Sequence, residues 1–173
     1  MSLTQALIQE FEQESATTRR VLERVPEDRF AWKPHAKSMS VGELALHVAT
    51  SPAFIAAWAV KDSVEMSDPG EPAPQPKSTA EVLAVHDEGV KKTKDALTQI
   101  GDDGLHKEWK LTTKDGTTIM GMPKIALVRA IVMNHTYHHR GQLSVYLRML
   151  DVPVPSIYGP SADENPFAAP AGI

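Results

Sequence analysis

The chain has 173 residues, 42% of them hydrophobic and 23% charged, with a formal net charge of −4, seven histidines and no cysteine. That length suits one well-cored domain, 1–173, and is short for two. The acidic balance argues against a sequence-independent nucleic-acid binder and a polybasic membrane surface, while the missing cysteine excludes disulfides, thiolate metal sites and a cysteine nucleophile.

The N-terminal stretch MSLTQALIQEFEQES has no basic n-region and no continuous apolar h-region, so no signal peptide is expected. No apolar run approaches the roughly 20 residues of a bilayer crossing. A cytoplasmic protein with neither membrane nor nucleic-acid partners is expected. The first helix is expected from Ser2 to Val25, with Leu3, Leu7, Phe11, Val21 and Val25 at helical spacing and Pro26 as the stop. Glu14 and Thr18 fall on the same stripe and leave a polar gap in it. The connector Pro26–Ser40 carries Phe30 and Trp32 as plugs for the bundle end, and Pro34 holds Lys33 extended.

Ser40 and Glu43 form a capping-box pattern that starts the second helix. Leu44, His47, Ser51, Phe54 and Trp58 follow at 3-4 spacing and share a seam, and Pro52 is expected to kink or break the helix near Ser51. Residues Ser67 to Lys77 are Pro-rich and read as a loop or semi-rigid linker. The third helix is expected from Thr79 to Ile100, with Ser78 and Glu81 repeating the cap spacing and Val82, Val85, Val90, Leu97 and Ile100 inward. Within Gly101–Gly121, Glu108–Thr112 reads as a short strand, Lys114–Gly116 as a turn and Thr117–Ile119 as the strand's partner. The fourth helix is expected from Pro123, at its first position, to Leu150. Its seam reads Ile125, Val128, Val132, His135, His139, Gln142, Tyr146 and Met149. The tail from Asp151 holds five of the thirteen prolines and must be irregular. The expected fold is all-α: a four-helix bundle with a long second connection and an irregular Pro-rich C-terminal tail.

The histidines carry the chemistry. His135 and His139 are i, i+4, the spacing by which one helix face offers two imidazoles to one metal. Both occupy seam positions that a bundle normally fills with Leu or Val, and His47 sits on the seam of the second helix. A single histidine on an apolar stripe is most often a satisfied core residue. Three from two seams need partners, because a buried polar group without one costs about 1–3 kcal/mol. A divalent ion is the simplest such partner; three neutral imidazoles suit Zn, Ni or Fe and leave a coordination position open.

His35, His86 and His106 read as structural or solvated. His138 either lines the site or supports it from behind. Glu43 has a capping reading and a catalytic one, as a base one turn from His47. Gln142, one turn beyond His139, suits a hydrogen bond to a ligand or an imidazole. Arg140 reads as a surface cation, a bundle-end ion pair or a clamp for an anionic substrate. Glu14 reads as solvated or as turned towards the site.

The segments Trp32-Lys33-Pro34, Ser38-Met39-Ser40-Val41-Gly42-Glu43-Leu44-Ala45-Leu46-His47-Val48-Ala49 and His135-Thr136-Tyr137-His138-His139-Arg140-Gly141-Gln142-Leu143 resemble the DinB/YfiT-like superfamily. The stretch from Tyr146 to Gly159 resembles that family's ending. The resemblance covers nearly the whole chain and is loosest from Asp62 to Gly121. It implies an up-down-down-up four-helix bundle, often a homodimer, and a nickel or zinc ion held by His47, His135 and His139. It also implies small-molecule chemistry, since some relatives are bacillithiol- or mycothiol-dependent S-transferases. With no cysteine in the chain, such a low-molecular-weight thiol would come from outside. Two functions follow as expectations. One is a metal-dependent thiol S-transferase or hydrolase, with Glu43 or His138 moving the proton and Gln142 or Arg140 holding the cofactor. The other is a non-catalytic, metal-stabilised module for ligand binding or stress response.

Overall fold

Residues 1–66 and 75–168 are described by the computed structural model. Helix α1 (Leu3–Leu22) begins where the Ser2 hydroxyl accepts the Gln5 N–H. The Asp102 carboxylate accepts the Leu3 and Thr4 N–H groups, so a distant loop completes the helix start. Helix α2 (Val41–Val60) opens on the Ser40/Glu43 capping box and runs on through Pro52. The break expected near Ser51 does not occur, because tertiary packing on both sides holds the helical backbone across the missing donor.

Helix α3 (Thr79–Leu105) is capped by Ser78 and interrupted at Gly101, whose φ of 62° leaves the helical region. One further turn follows, five residues beyond the expected end. The linker reading falls mostly on residues 67–74, which lie outside the described residues.

The all-α expectation is corrected by a three-stranded sheet in the order β1-β2-β3. Strand β2 (Glu108–Thr112) pairs antiparallel with β3 (Thr118–Pro123), and Gly116, at φ 85°, turns the chain between them. Strand β1 (Ser63–Glu65) pairs parallel with β2. Trp109 of β2 is buried against α2 and donates its indole N–H to the Trp58 carbonyl at 3.2 Å. Pro123 ends β3 and precedes the next helix rather than starting it.

The last helical run comprises α4 (Lys124–Leu127), a π-helical stretch (Val128–Asn134) and α5 (His135–Met149). The four helical runs enclose two apolar clusters. One, near the sheet, includes Leu7, Phe11, Ile55, Leu97, Trp109 and Val132. The other includes Val21, Leu22, Val41, Leu44, Leu143 and Leu147. From Asp151 to Ala168 the chain forms neither helix nor strand, and it is tied back by ion pairs from Arg20 to Glu164 and from Arg148 to Asp163.

Helix α2 is long and apolar enough to cross a membrane by length and composition, contrary to the expectation that no segment approaches that. Half of that stretch is buried inside the bundle, where Val41, Leu44, Val48 and Ile55 pack in the core.

Candidate metal centre

The buried stripe of α5 is Thr136, Arg140, Leu143 and Leu147. That is one residue beyond the stripe expected from the sequence. On α2 the buried stripe includes Leu44, Val48, Pro52, Ile55 and Ala59, while Phe54 is exposed. His47, His135 and His139 therefore stand beside the core, half-buried at its rim.

The three imidazoles face one another across the α2–α5 contact. Their candidate ligand atoms lie within 4.8 Å of one another. His135 Nε2 is 3.1 Å from His139 Nε2 and 3.4 Å from His47 Nε2. Nitrogens bound tetrahedrally to zinc at about 2.05 Å stand about 3.3 Å apart. The two separations from His135 Nε2 bracket that value.

Protonation supports the same fit. His139 Nδ1 donates to Gln142 Oε1 at 2.7 Å, which places the lone pair of its Nε2 in the cluster. A divalent cation accepts all three lone pairs at once. If His135 also binds through Nε2, its proton sits on Nδ1, which is buried and has no hydrogen-bond partner.

Burial, reinforced by the neighbouring His139 and His135, pushes His47 down from 6.5 to about 4. His135 and His139 are lowered as well, first by burial. Near neutral pH the cluster is therefore uncharged, the form in which imidazole binds a metal.

The other candidates occupy distinct places. Gln142 is exposed and bonds the imidazole of His139. His138 is exposed and packs edge-on against His139, with ring centroids 4.8 Å apart. Glu43 accepts the Ser40 N–H at 2.6 Å and pairs with Lys33 at 3.3 Å. The Ser40 bond and the Lys33 charge hold its carboxyl below the usual range. Arg140 is 1% exposed, so the surface-cation reading does not describe it. It donates to the Glu14 carbonyl at 3.0 Å and to the Thr18 hydroxyl at 3.1 Å, pairs with the Glu14 carboxylate at 2.7 Å and bonds the Tyr158 hydroxyl. The polar gap in the α1 stripe is thus the socket for Arg140. Among the bystanders, His86 is buried beside Asp87, while His35 and His106 are exposed.

A cleft of about 560 Å³ opens between connector residues 33–39 and the α2 face that carries Glu43, Leu46 and His47. Sequence reasoning did not single out its lysines, Lys33 and Lys37. The connector segment Lys33-Pro34-His35-Ala36-Lys37 held the signal, since its two cations flank the proline-stiffened approach to the capping box.

The sequence model of the DinB family matches residues 1–166. The chain is 26% identical over 152 residues to the uncharacterized protein YjoA of Bacillus subtilis (strain 168), covering 86% of this chain and 91% of that protein. It is 24% identical over 160 residues to the uncharacterized protein YrdA of the same organism, covering 91% and 89%. Among solved structures, a DinB-like protein from Bacillus cereus ATCC 10987 superposes with a TM-score of 0.70 at 19% identity, covering 89% of this chain and 97% of that one. The DinB-like structure of B. subtilis YjoA gives 0.65 at 24% identity, covering 84% and 92%. At these identities the structural likeness shows the fold.

Proposed function

We propose that this chain, which belongs to the DinB family, binds one divalent metal ion through His47, His135 and His139 and uses it for chemistry on a small molecule. The observation that carries this reading is the convergence of three uncharged imidazoles at zinc-like spacing, one of them fixed in tautomer by Gln142. Nickel or zinc fits a three-imidazole set best, with iron as a further candidate. Such an ion, when bound, supplies Lewis acidity and lowers the pKa of a water or thiol at its open position.

The chain's own residues have separable tasks. Gln142 orients His139. Glu43 closes the capping box and so fixes the helical turn that presents His47. Its lowered pKa leaves it ionised, with no proton to give near neutral pH, and only weakly basic at the cleft wall, so the larger share of any proton movement falls to His138 or to solvent. Arg140 braces α5 against α1 with its donors turned towards Glu14, Thr18 and Tyr158. We assign it positioning of the His139 turn rather than cofactor binding.

The open cleft at His47 favours an enzyme over a closed structural site. Thiol S-transfer and hydrolysis are the two reactions that the site suits. The absence of cysteine means that a thiol, in the first case, arrives as a co-substrate. The working unit is proposed to be a homodimer.

The test is metal analysis of untagged protein, together with His135→Ala and His139→Ala. About one ion per chain is expected for the parent, and loss of tight binding with retained helicity for both variants. Parent protein that neither carries nor takes up metal, or variants that bind it as the parent does, would overturn the reading.

A further inference from the structure

We infer that the cleft beside His47 is a subsite for the carboxylate end of a small organic ligand, anchored by Lys37, with Lys33 as the second cation. The inference rests on the metal reading above, because His47 is the imidazole that lines the cleft and joins it to the cluster. The cleft's volume, about 560 Å³, lies within the range of small-molecule pockets.

Its walls are chemically asymmetric. Ala36, Met39 and Leu46 supply apolar surface for a hydrocarbon stem. Two lysines and one carboxylate line it, in a chain whose formal net charge is −4. Lys33 is committed to Glu43 at 3.3 Å. Lys37 lines the cleft as an exposed side chain and has no acidic partner among the described residues.

An uncompensated cation in a concave, partly apolar wall raises the local concentration of anions and rewards a charge-assisted hydrogen bond. A neutral or cationic ligand gains nothing there. With Lys33 committed to Glu43, one ammonium charge is left over, which balances the single charge of a carboxylate better than a phosphate dianion. The ligand is therefore an organic acid whose reacting group lies at the opposite end from its carboxylate, the cleft setting the distance between them.

The test uses cobalt(II)-loaded full-length protein and ω-mercaptoalkanoates of increasing chain length, each paired with its neutral amide. The thiolate-to-cobalt absorption band reports ligation at the cluster, and its titration gives affinity. At the best chain length the acid is expected to bind about tenfold tighter than the amide, consistent with one charge-assisted contact, and to lose that advantage in high salt. In Lys37→Met the acid-to-amide ratio is expected to fall within about twofold, and in Lys37→Glu to invert. Lys33→Met, which frees the Glu43 carboxylate to face the cleft, is expected to lower the ratio further. A band that forms with no preference for the acid, or a preference that survives Lys37→Met, would overturn the subsite and leave the metal reading intact. Failure of the parent to take up cobalt would overturn the metal reading and the subsite with it.

Discussion

Gln142→Ala isolates the orientation of one ligand from the presence of the ligand. The amide oxygen accepts from His139 Nδ1 at 2.7 Å, and Gln142 is exposed, so its removal takes away one directed hydrogen bond and little packing. The bond alone is worth about 0.5–1.5 kcal/mol. Its larger effect is on the metal, because a freed imidazole rotates, samples the wrong tautomer and becomes less basic. Partners of this kind contribute about 10–100-fold to metal affinity, or about 1.4–2.7 kcal/mol. The expected outcome is a zinc or cobalt affinity lower by one to two decades in chelator competition at pH 7.5, with metal-free thermal stability nearly unchanged. Gln142→Glu, a stronger acceptor from the same geometry, is expected to retain or exceed parental affinity. An affinity within twofold of the parent for Gln142→Ala would refute the reasoning, as would a loss matched by a comparable fall in metal-free stability.

Three further outcomes are expected. His47, His135, His139 and buried His86 all have folded-state pKa values below the ordinary 6.5, with His47 near 4. Because the unfolded chain takes up these protons first, stability is full above about pH 6.5 and is lost as pH falls towards 4; the metal leaves in the same window. Thermal melts of metal-free protein across that range check the sign, and His47→Leu should flatten part of the slope. Arg140→Met leaves the partly buried Glu14 carboxylate with the Tyr158 hydroxyl as its remaining donor and is expected to cost about 3 kcal/mol in urea unfolding, whereas the double change with Glu14→Leu should recover much of it. Gly42→Ala would set a Cβ 2.9 Å from Phe30 Cβ and 3.1 Å from the Phe30 carbonyl oxygen, so a loss of about 1–3 kcal/mol is expected by the same assay.

Helix caps and turns are written in short, local residue patterns, and these were legible. Ser40 with Glu43, Ser78 with Glu81, and Gly116 between two strands each do in the structure what their spacing implies. Strand β1 was not legible, because Ser63–Glu65 is too short for a period and gains strand character only from Lys110–Thr112 far along the chain. The buried face of α2 was misplaced for a different reason. With apolar residues nearly all round the helix, several stripes fit the 3-4 spacing, and packing on α3 and α5 selects the one through Val48 and Ile55. The role of Arg140 was hidden because its partners, Glu14, Thr18 and Tyr158, come from the first helix and the tail.

The displaced stripe of α5 has a backbone cause with a functional consequence. A π-helical stretch bonds i to i+5 and so takes in about one extra residue without an extra turn. Downstream of Val128–Asn134, the core-facing positions accordingly move from His135, His139, Gln142 and Tyr146 to Thr136, Arg140, Leu143 and Leu147. Had the helix stayed regular, the imidazoles would project into the apolar core, where an ion would be sealed from solvent and its desolvation uncompensated. The π stretch instead rotates them to the rim, beside the cleft at His47. It also delivers Arg140 to the polar gap of α1, where its bonds to Glu14 and Thr18 brace the rotated helix. The same one-residue slip thus exposes the ligands and buries the residue that braces their helix.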